Sequence, residues 1–264
     1  FCLDNLAQAK KLGCQYLPGH RVTGFELKNG RIKRVHLLQT NSGKTCSIEV
    51  EQVINATGAW AGQIASLAGL EISMSPSKGT LMVTQNRITQ KVVHRLRFPA
   101  DADILVPGGT VSILGTTSVA PDSLEDIAPT IPEVDRLVEE GAAMIPSLEH
   151  TRYIRAFAGV RPLMSEQAGS FSSERSASRG YALLDHEQEG IQNFCTITGG
   201  KLTTARLMAE KTADLVCSKM AFLRPCLTRQ EPLPDSSEGR WAQPGAAPKY
   251  WLAQNDPQDP LLCE

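Results

Sequence analysis

Apolar and polar residues alternate along much of this chain, and the alternation maps out its elements. Leu3, Leu6, Ala7 and Ala9 beside Lys10 and Lys11 predict an amphipathic helix over about residues 1–12. Arg21 to Lys28 alternates polar and apolar residues, as an extended strand with one wet face does. Asn29-Gly30 then predicts a two-residue hairpin turn, because both positions tolerate positive φ. Arg31 to Leu38 is the return strand, and Lys44 to Val50 a third after the Asn41-Ser42-Gly43 turn. Together they predict a β-meander.

Further on, Gln52 to Asn55 is a short strand running into Ala56-Thr57-Gly58-Ala59-Trp60 and a helix over about 61–68. A strand, a turn of small residues and a helix form the unit of a doubly wound α/β layer. Strands are predicted over 80–83, 104–107 and 111–117, and a helix over 132–144 with Pro132 near its start. Residues 152–157 form a strand ending in Gly159-Val160-Arg161-Pro162-Leu163. Strands follow at 181–184 and 194–198, and Gly199-Gly200 opens a helix over about 202–219. Beyond Pro225 the Pro, Gln, Asp and Ser content predicts a linker.

Composition narrows the class. The 264 residues are 41% hydrophobic and 21% charged, with a net charge of -1, as in a globular protein without a broad nucleic-acid surface. The seven cysteines are widely spaced with no CxxC pair, which predicts a reducing compartment rather than a disulfide framework. No apolar run approaches the 20 residues of a membrane span. Phe1-Cys2-Leu3-Asp4 lacks Met and a charged leader, so the chain is expected to be part of a longer one.

Three segments carry the candidate chemistry. The Asn55–Trp60 turn is either a tight strand-to-helix connection or a place for a planar cofactor to lie against backbone. Gly199-Gly200-Lys201 precedes a helix start whose free N–H groups attract negative charge; threonine capping is the alternative. Arg161 lies between apolar neighbours and faces either a bound anion or an internal carboxylate. Arg179, in a serine-rich loop, is a weaker candidate.

Asn55-Ala56-Thr57-Gly58-Ala59-Trp60, Gly159-Val160-Arg161-Pro162-Leu163 and Thr198-Gly199-Gly200-Lys201-Leu202-Thr203-Thr204 occur in the order and at about the spacing found in FAD-dependent glycerol-3-phosphate dehydrogenases. Ala102 to Gly108 and Gly115 to Ser118 resemble the large subunit of the anaerobic enzymes in particular. The resemblance runs to about Cys226. It implies an α/β (α+β) fold: part of a doubly wound FAD-binding domain (1–71 and 189–224) and an antiparallel-sheet substrate domain of the D-amino-acid oxidase type (72–188), with a linker over 225–264. It further implies FAD against Thr57, Gly58, Gly199, Gly200, Leu202 and Thr203. Glycerol 3-phosphate would be bound by Arg161, Arg179 and Lys201, with Arg161 and Lys201 also catalytic. Partner subunits of a membrane-associated dehydrogenase complex are implied too, placing the protein in the cytoplasm at the inner membrane.

Departures matter as well. The G-x-G-x-x-G fingerprint of the pyrophosphate site is absent, so these residues alone are expected to hold FAD poorly and to be inactive. Where aerobic relatives carry a histidine after a Lys-Gly-Ser turn, Lys78-Gly79-Thr80 is followed by Leu81. That leaves the general base open; His94, His150 and His186 are expected at the surface. Cys263, in Leu262-Cys263-Glu264, resembles the first ligand of an iron–sulfur module, or is an ordinary tail cysteine. Two alternatives stand beside this reading: a related oxidase of an amino or 2-hydroxy acid, and a non-catalytic assembly domain.

Overall fold

The computed structural model describes residues 2–165, 180–222 and 224–230. The chain divides into two compact units.

One unit comprises Phe1–Val53, Gly190–Asn193 and Thr203–Glu264. It contains helix α1 (Cys2–Lys11) and the antiparallel meander β1 (His20–Lys28), β2 (Arg31–Gln39) and β3 (Thr45–Glu49), in the order predicted. The turn between β1 and β2 forms because Asn29 and Gly30 take φ of 53° and 68°. A side chain at Gly30 would also strike the carbonyl of Gly190, at 2.9 Å. Asn193, buried, behaves like a piece of missing strand. Its Oδ1 accepts from Ile32 N at 2.8 Å, and its Nδ2 donates to the carbonyls of Ile32 and Glu51, each at 2.9 Å. Helix α4 (Ala205–Lys219) completes the unit, and Lys219 Nζ donates to the Gln192 carbonyl.

The other unit comprises Ile54–Glu189 and Phe194–Leu202. Its main sheet is antiparallel, ordered β6 (Val93–His94), β7 (Ile104–Gly108), β8 (Val111–Gly115), β5 (Ser77–Thr84), β9 (Tyr153–Arg161). Helix α3 (Ile131–Met144) packs Leu137 against Met82, Leu105 and Leu114 of this sheet, with Ala102 and Leu148 closing the core. A second sheet is ordered β10 (Tyr181–Asp185), β11 (Phe194–Gly199), β4 (Val53–Asn55). Helix α2 (Ala61–Ser66) follows β4 and lies against β11.

Three sequence expectations need correction. Strand β5 starts at Ser77 rather than at residue 80, so Lys78 and Gly79 lie inside it; pairing with β9 on one side fixes them there. β9 continues through Arg161, because Ser77 pairs with Arg161 at the same end of the sheet. The regular helix near residue 202 begins only at Ala205. Leu202–Thr204 is a 3-10 turn, and Thr204, at φ -101° and ψ -2°, is the N-cap of the regular helix.

Candidate functional site

The Asn55–Trp60 turn is built around one buried amide. Asn55 Nδ2 donates to the Ala61 carbonyl at 2.9 Å and to Thr196 Oγ1 at 3.2 Å. Its Oδ1 accepts from Thr57 Oγ1 at 2.7 Å and from Thr57 N at 3.4 Å. These bonds hold Thr57 folded back over Asn55 and let Gly58 enter a short 3-10 turn (Gly58–Trp60) at φ +59°. Among the described residues, no heavy atom beyond its two chain neighbours lies within 4 Å of where a side chain at Gly58 would start. The backbone is therefore bare and open to an approaching group at this point. Thr198 Oγ1 lies 3.4 Å from the Gly58 carbonyl, and both β9 and β11 reach the turn.

Gly199 and Gly200 both take left-handed conformations, at φ +79° and +74°. A side chain at Gly199 would meet the Gly180 carbonyl at 2.7 Å, so only glycine fits where β10 begins. Gly199 pairs with Tyr181 in the sheet, and Gly200 N donates to the Gly180 carbonyl at 2.9 Å. The helix start expected after them is the Leu202–Thr204 3-10 turn. Leu202 is 72% exposed, and Lys201 and Thr203 are exposed as well.

Arg161 is half-buried at the end of β9. Its guanidinium donates to Ser77 Oγ at 3.4 Å, Thr116 Oγ1 at 3.0 Å and the Thr117 carbonyl at 3.3 Å. The strand opposite makes room for it. A side chain at Gly79 would start 2.5 Å from both Arg161 Nη2 and Thr116 Oγ1.

Behind this lies a buried ion pair, Lys78 Nζ to Glu133 Oε2 at 2.8 Å. Glu133 Oε1 accepts from Thr80 and Thr117 hydroxyls at 3.0 and 3.1 Å. Its Oε2 accepts from Thr130 Oγ1 at 2.7 Å and Thr130 N at 3.0 Å, which caps α3. Burial pushes this carboxyl up, but the ammonium of Lys78 and the threonine donors outweigh burial and hold it at about 2. Thr117 links the two groups, its hydroxyl on Glu133 and its carbonyl on Arg161.

The three histidines divide. His94 and His150 are exposed, as expected. His186 is corrected: it is 1% exposed, with Nδ1 2.6 Å from Glu189 Oε2, Nε2 2.9 Å from Thr196 Oγ1, and its ring against Phe194. A polar side chain is buried here because both ring nitrogens find partners. Arg179 and Cys263 lie outside the described residues. Among the described residues no cluster of His, Cys, Asp and Glu could hold a metal ion, and no helix is long and apolar enough to cross a membrane. Two depressions on the meander, lined by charges of both signs such as Lys33, Arg34, Glu49 and Glu51, include none of the predicted site residues. Sequence reasoning missed Asn55, Gly79, Thr116, Glu133 and His186 as site-building residues. Asn55, Gly79 and Thr116 stood inside segments already singled out and His186 among the histidines weighed as a base, whereas nothing local marks Glu133.

Known proteins resemble this chain in sequence and in fold. The chain is 44% identical over 237 residues to a component of the anaerobic glycerol-3-phosphate dehydrogenase of Escherichia coli K12, a match covering 89% of this chain and 43% of that protein. It is 37% identical over 247 residues to a component of the corresponding enzyme of Haloferax volcanii, covering 90% and 42%. Both relatives carry names that make them one polypeptide of a multi-subunit enzyme. The chain thus spans less than half the length of these relatives. In fold it resembles the glycerol-3-phosphate dehydrogenase of Bacillus halodurans complexed with FAD, with a TM-score of 0.72 at 21% identity over 96% of this chain and 52% of that one. The L-α-glycerophosphate oxidase of Mycoplasma pneumoniae gives 0.59 at 20% identity, over 87% and 58%. The mixed helix-and-sheet fold expected from the sequence is the one these structures share. A family model for FAD dependent oxidoreductases matches residues 1–215, and the chain belongs to that family.

Proposed function

We propose that the complete gene product oxidises sn-glycerol 3-phosphate to dihydroxyacetone phosphate, and that this chain supplies much of its substrate site and one side of its flavin site. The observation that carries the reading is the setting of Arg161. Its guanidinium is fixed by hydroxyls and a carbonyl, in a space kept clear by Gly79, on a strand that reaches the open Gly58 turn. A guanidinium so held presents planar paired donors, which suit a phosphate.

FAD, when bound, supplies the acceptor for the hydride leaving C2 of the substrate. The bare backbone at Thr57-Gly58 suits a flat ring system, and the left-handed Gly199-Gly200 pair flanks it through Thr198. Leu202 and Thr203, in the first turn before α4, offer N–H groups to negative charge on the reduced ring. Arg161 binds the phosphate, joined by Arg179 and Lys201. A cation among these also stabilises the developing C2 alkoxide; Arg161 and Lys201 are the candidates. Residues 1–71 and 189–224 belong to the flavin-binding part in this reading, 72–188 to the substrate-binding part, and 225–264 to a linker. The relatives' names, each for one polypeptide of a larger enzyme, support partner subunits, through which electrons reach a respiratory acceptor and the protein meets the inner membrane.

The test is anaerobic mixing of the complete gene product with glycerol 3-phosphate, followed by flavin absorbance. Rapid bleaching is expected, and Arg161→Ala slows it at least 100-fold, about 3 kcal/mol of lost phosphate binding. Bleaching by an amino or 2-hydroxy acid instead would keep the fold and replace the substrate.

A further inference from the structure

A continuous line of buried hydrogen bonds runs from the surface to the Thr57-Gly58 turn, and nothing in the reaction described above uses it. It passes from Thr57 through Asn55, Thr196 and His186 to Glu189, with heavy-atom distances of 2.7, 3.2, 2.9 and 2.6 Å. Asn55, Thr196 and His186 are each at most 2% exposed. The Glu189 side chain is 57% exposed, so the line ends in solvent.

With His186 neutral, donor and acceptor roles along it follow from the chemistry of its members. The Asn55 amide N–H groups go to the Ala61 carbonyl and to Thr196 Oγ1. The Asn55 carbonyl oxygen takes the Thr57 hydroxyl and N–H. Glu189 as a carboxylate only accepts, so His186 Nδ1 carries a hydrogen. In the neutral imidazole Nε2 is then an acceptor, and the Thr196 hydroxyl donates to it. Every bond in the line therefore points the same way, from Thr57 outward to the Glu189 carboxylate. Bonds aligned in this fashion polarise one another and strengthen together. The Thr57 hydroxyl hydrogen is committed inward, which leaves its oxygen lone pairs to face outward from the turn.

We infer that His186 and Glu189 are positioning residues for the flavin: through Thr196 and Asn55 they orient Thr57 and the Gly58 backbone against the ring. The inference rests on the proposal that this turn contacts FAD. It also explains why a histidine is kept in the interior beside Phe194, where an apolar residue would pack without needing polar partners.

The test uses the complete gene product stripped of FAD and titrated with it. Fluorescence quenching gives the dissociation constant, the bound-flavin absorbance maximum reports the ring environment, and unfolding of the FAD-free protein reports stability. Glu189→Ala removes the outer end at an exposed site and leaves the fold intact; it raises the dissociation constant several-fold and shifts the absorbance maximum, while the unfolding temperature of the FAD-free protein falls only slightly, for the loss of one partner of His186. His186→Leu raises the constant tenfold or more. His186→Gln, which can place an acceptor opposite Thr196, recovers most of that loss. Thr57→Val and His186→Leu combined cost little more than the worse of the two, because both break one line. Should His186→Leu fail to fold, Glu189→Ala and His186→Gln carry the test. Additive effects, or variants that change stability while leaving the dissociation constant and absorbance maximum as in the wild type, would overturn the inference and leave His186 a packing residue. Wild-type protein that binds no FAD, or binds it indifferently to Thr57→Val, overturns instead the placement of flavin at this turn, and the inference with it.

Discussion

Replacing Glu133 with glutamine would test the ionic support behind Arg161. The carboxylate receives five hydrogen bonds, from Lys78 Nζ, the hydroxyls of Thr80, Thr117 and Thr130, and Thr130 N. Its pKa falls from an ordinary 4.5 to about 2. A fall of that size corresponds to about 3 kcal/mol of folding stability at neutral pH. Breaking a buried pair by removing one charge costs about 3–5 kcal/mol by mutational experience, so the two routes agree. Because the folded value lies below the unfolded one, the unfolded chain takes up the proton first as the solution is acidified. The contribution is complete above about pH 4.5 and is lost as the pH falls through about 2. Glu133→Gln is therefore expected to cost about 3 kcal/mol at pH 7, or about 6–12 °C in Tm for a domain of this size. The difference from wild type should shrink below pH 4.5 and vanish near pH 2. Urea unfolding of both proteins across that range measures it. A difference that stays the same at all pH values would refute the electrostatic reasoning, as would a loss under about 1 kcal/mol at pH 7.

Gly79→Ala puts a methyl 2.5 Å from the Arg161 guanidinium and Thr116 Oγ1. The guanidinium is the end of a flexible side chain and will move, so stability should fall by only about 1–2 kcal/mol while KM for glycerol 3-phosphate rises at least tenfold. Steady-state kinetics with thermal unfolding separate the two effects, and an unchanged KM would count against the phosphate role of Arg161. Asn193→Ala strips the buried Ile32 N–H of its acceptor and the carbonyls of Ile32 and Glu51 of one donor each, and should cost about 2–4 kcal/mol, read from urea unfolding. The 264-residue chain by itself, which lacks a G-x-G-x-x-G segment, should bind FAD at least 100-fold more weakly than the complete gene product; equal quenching of flavin fluorescence by the two would refute this.

What the sequence determined by itself is local. The meander was legible because alternation is a two-residue signal and Asn29-Gly30 accepts the left-handed φ its turn requires. Helix α3 was legible from its apolar stripe and Pro132. The Asn55–Trp60, Gly159–Leu163 and Gly199–Thr204 segments were legible as special because small or cationic residues interrupted the pattern. Tertiary structure alone decided which of their groups remain available and what surrounds them. Gly200 spends its amide on Gly180, across the sheet. Arg161 is seated by Ser77 and Thr116, 84 and 45 residues away in sequence. Lys78 meets Glu133 across 55 positions, and Asn193 completes strand β2 from a distance of 161. His186 reads as a surface residue in isolation and is buried only because Glu189 and Thr196 satisfy both its nitrogens. Periodicity states which face of an element turns inward. It carries no information on which residues from distant segments meet there, and that pairing decides whether a polar group can be buried at all.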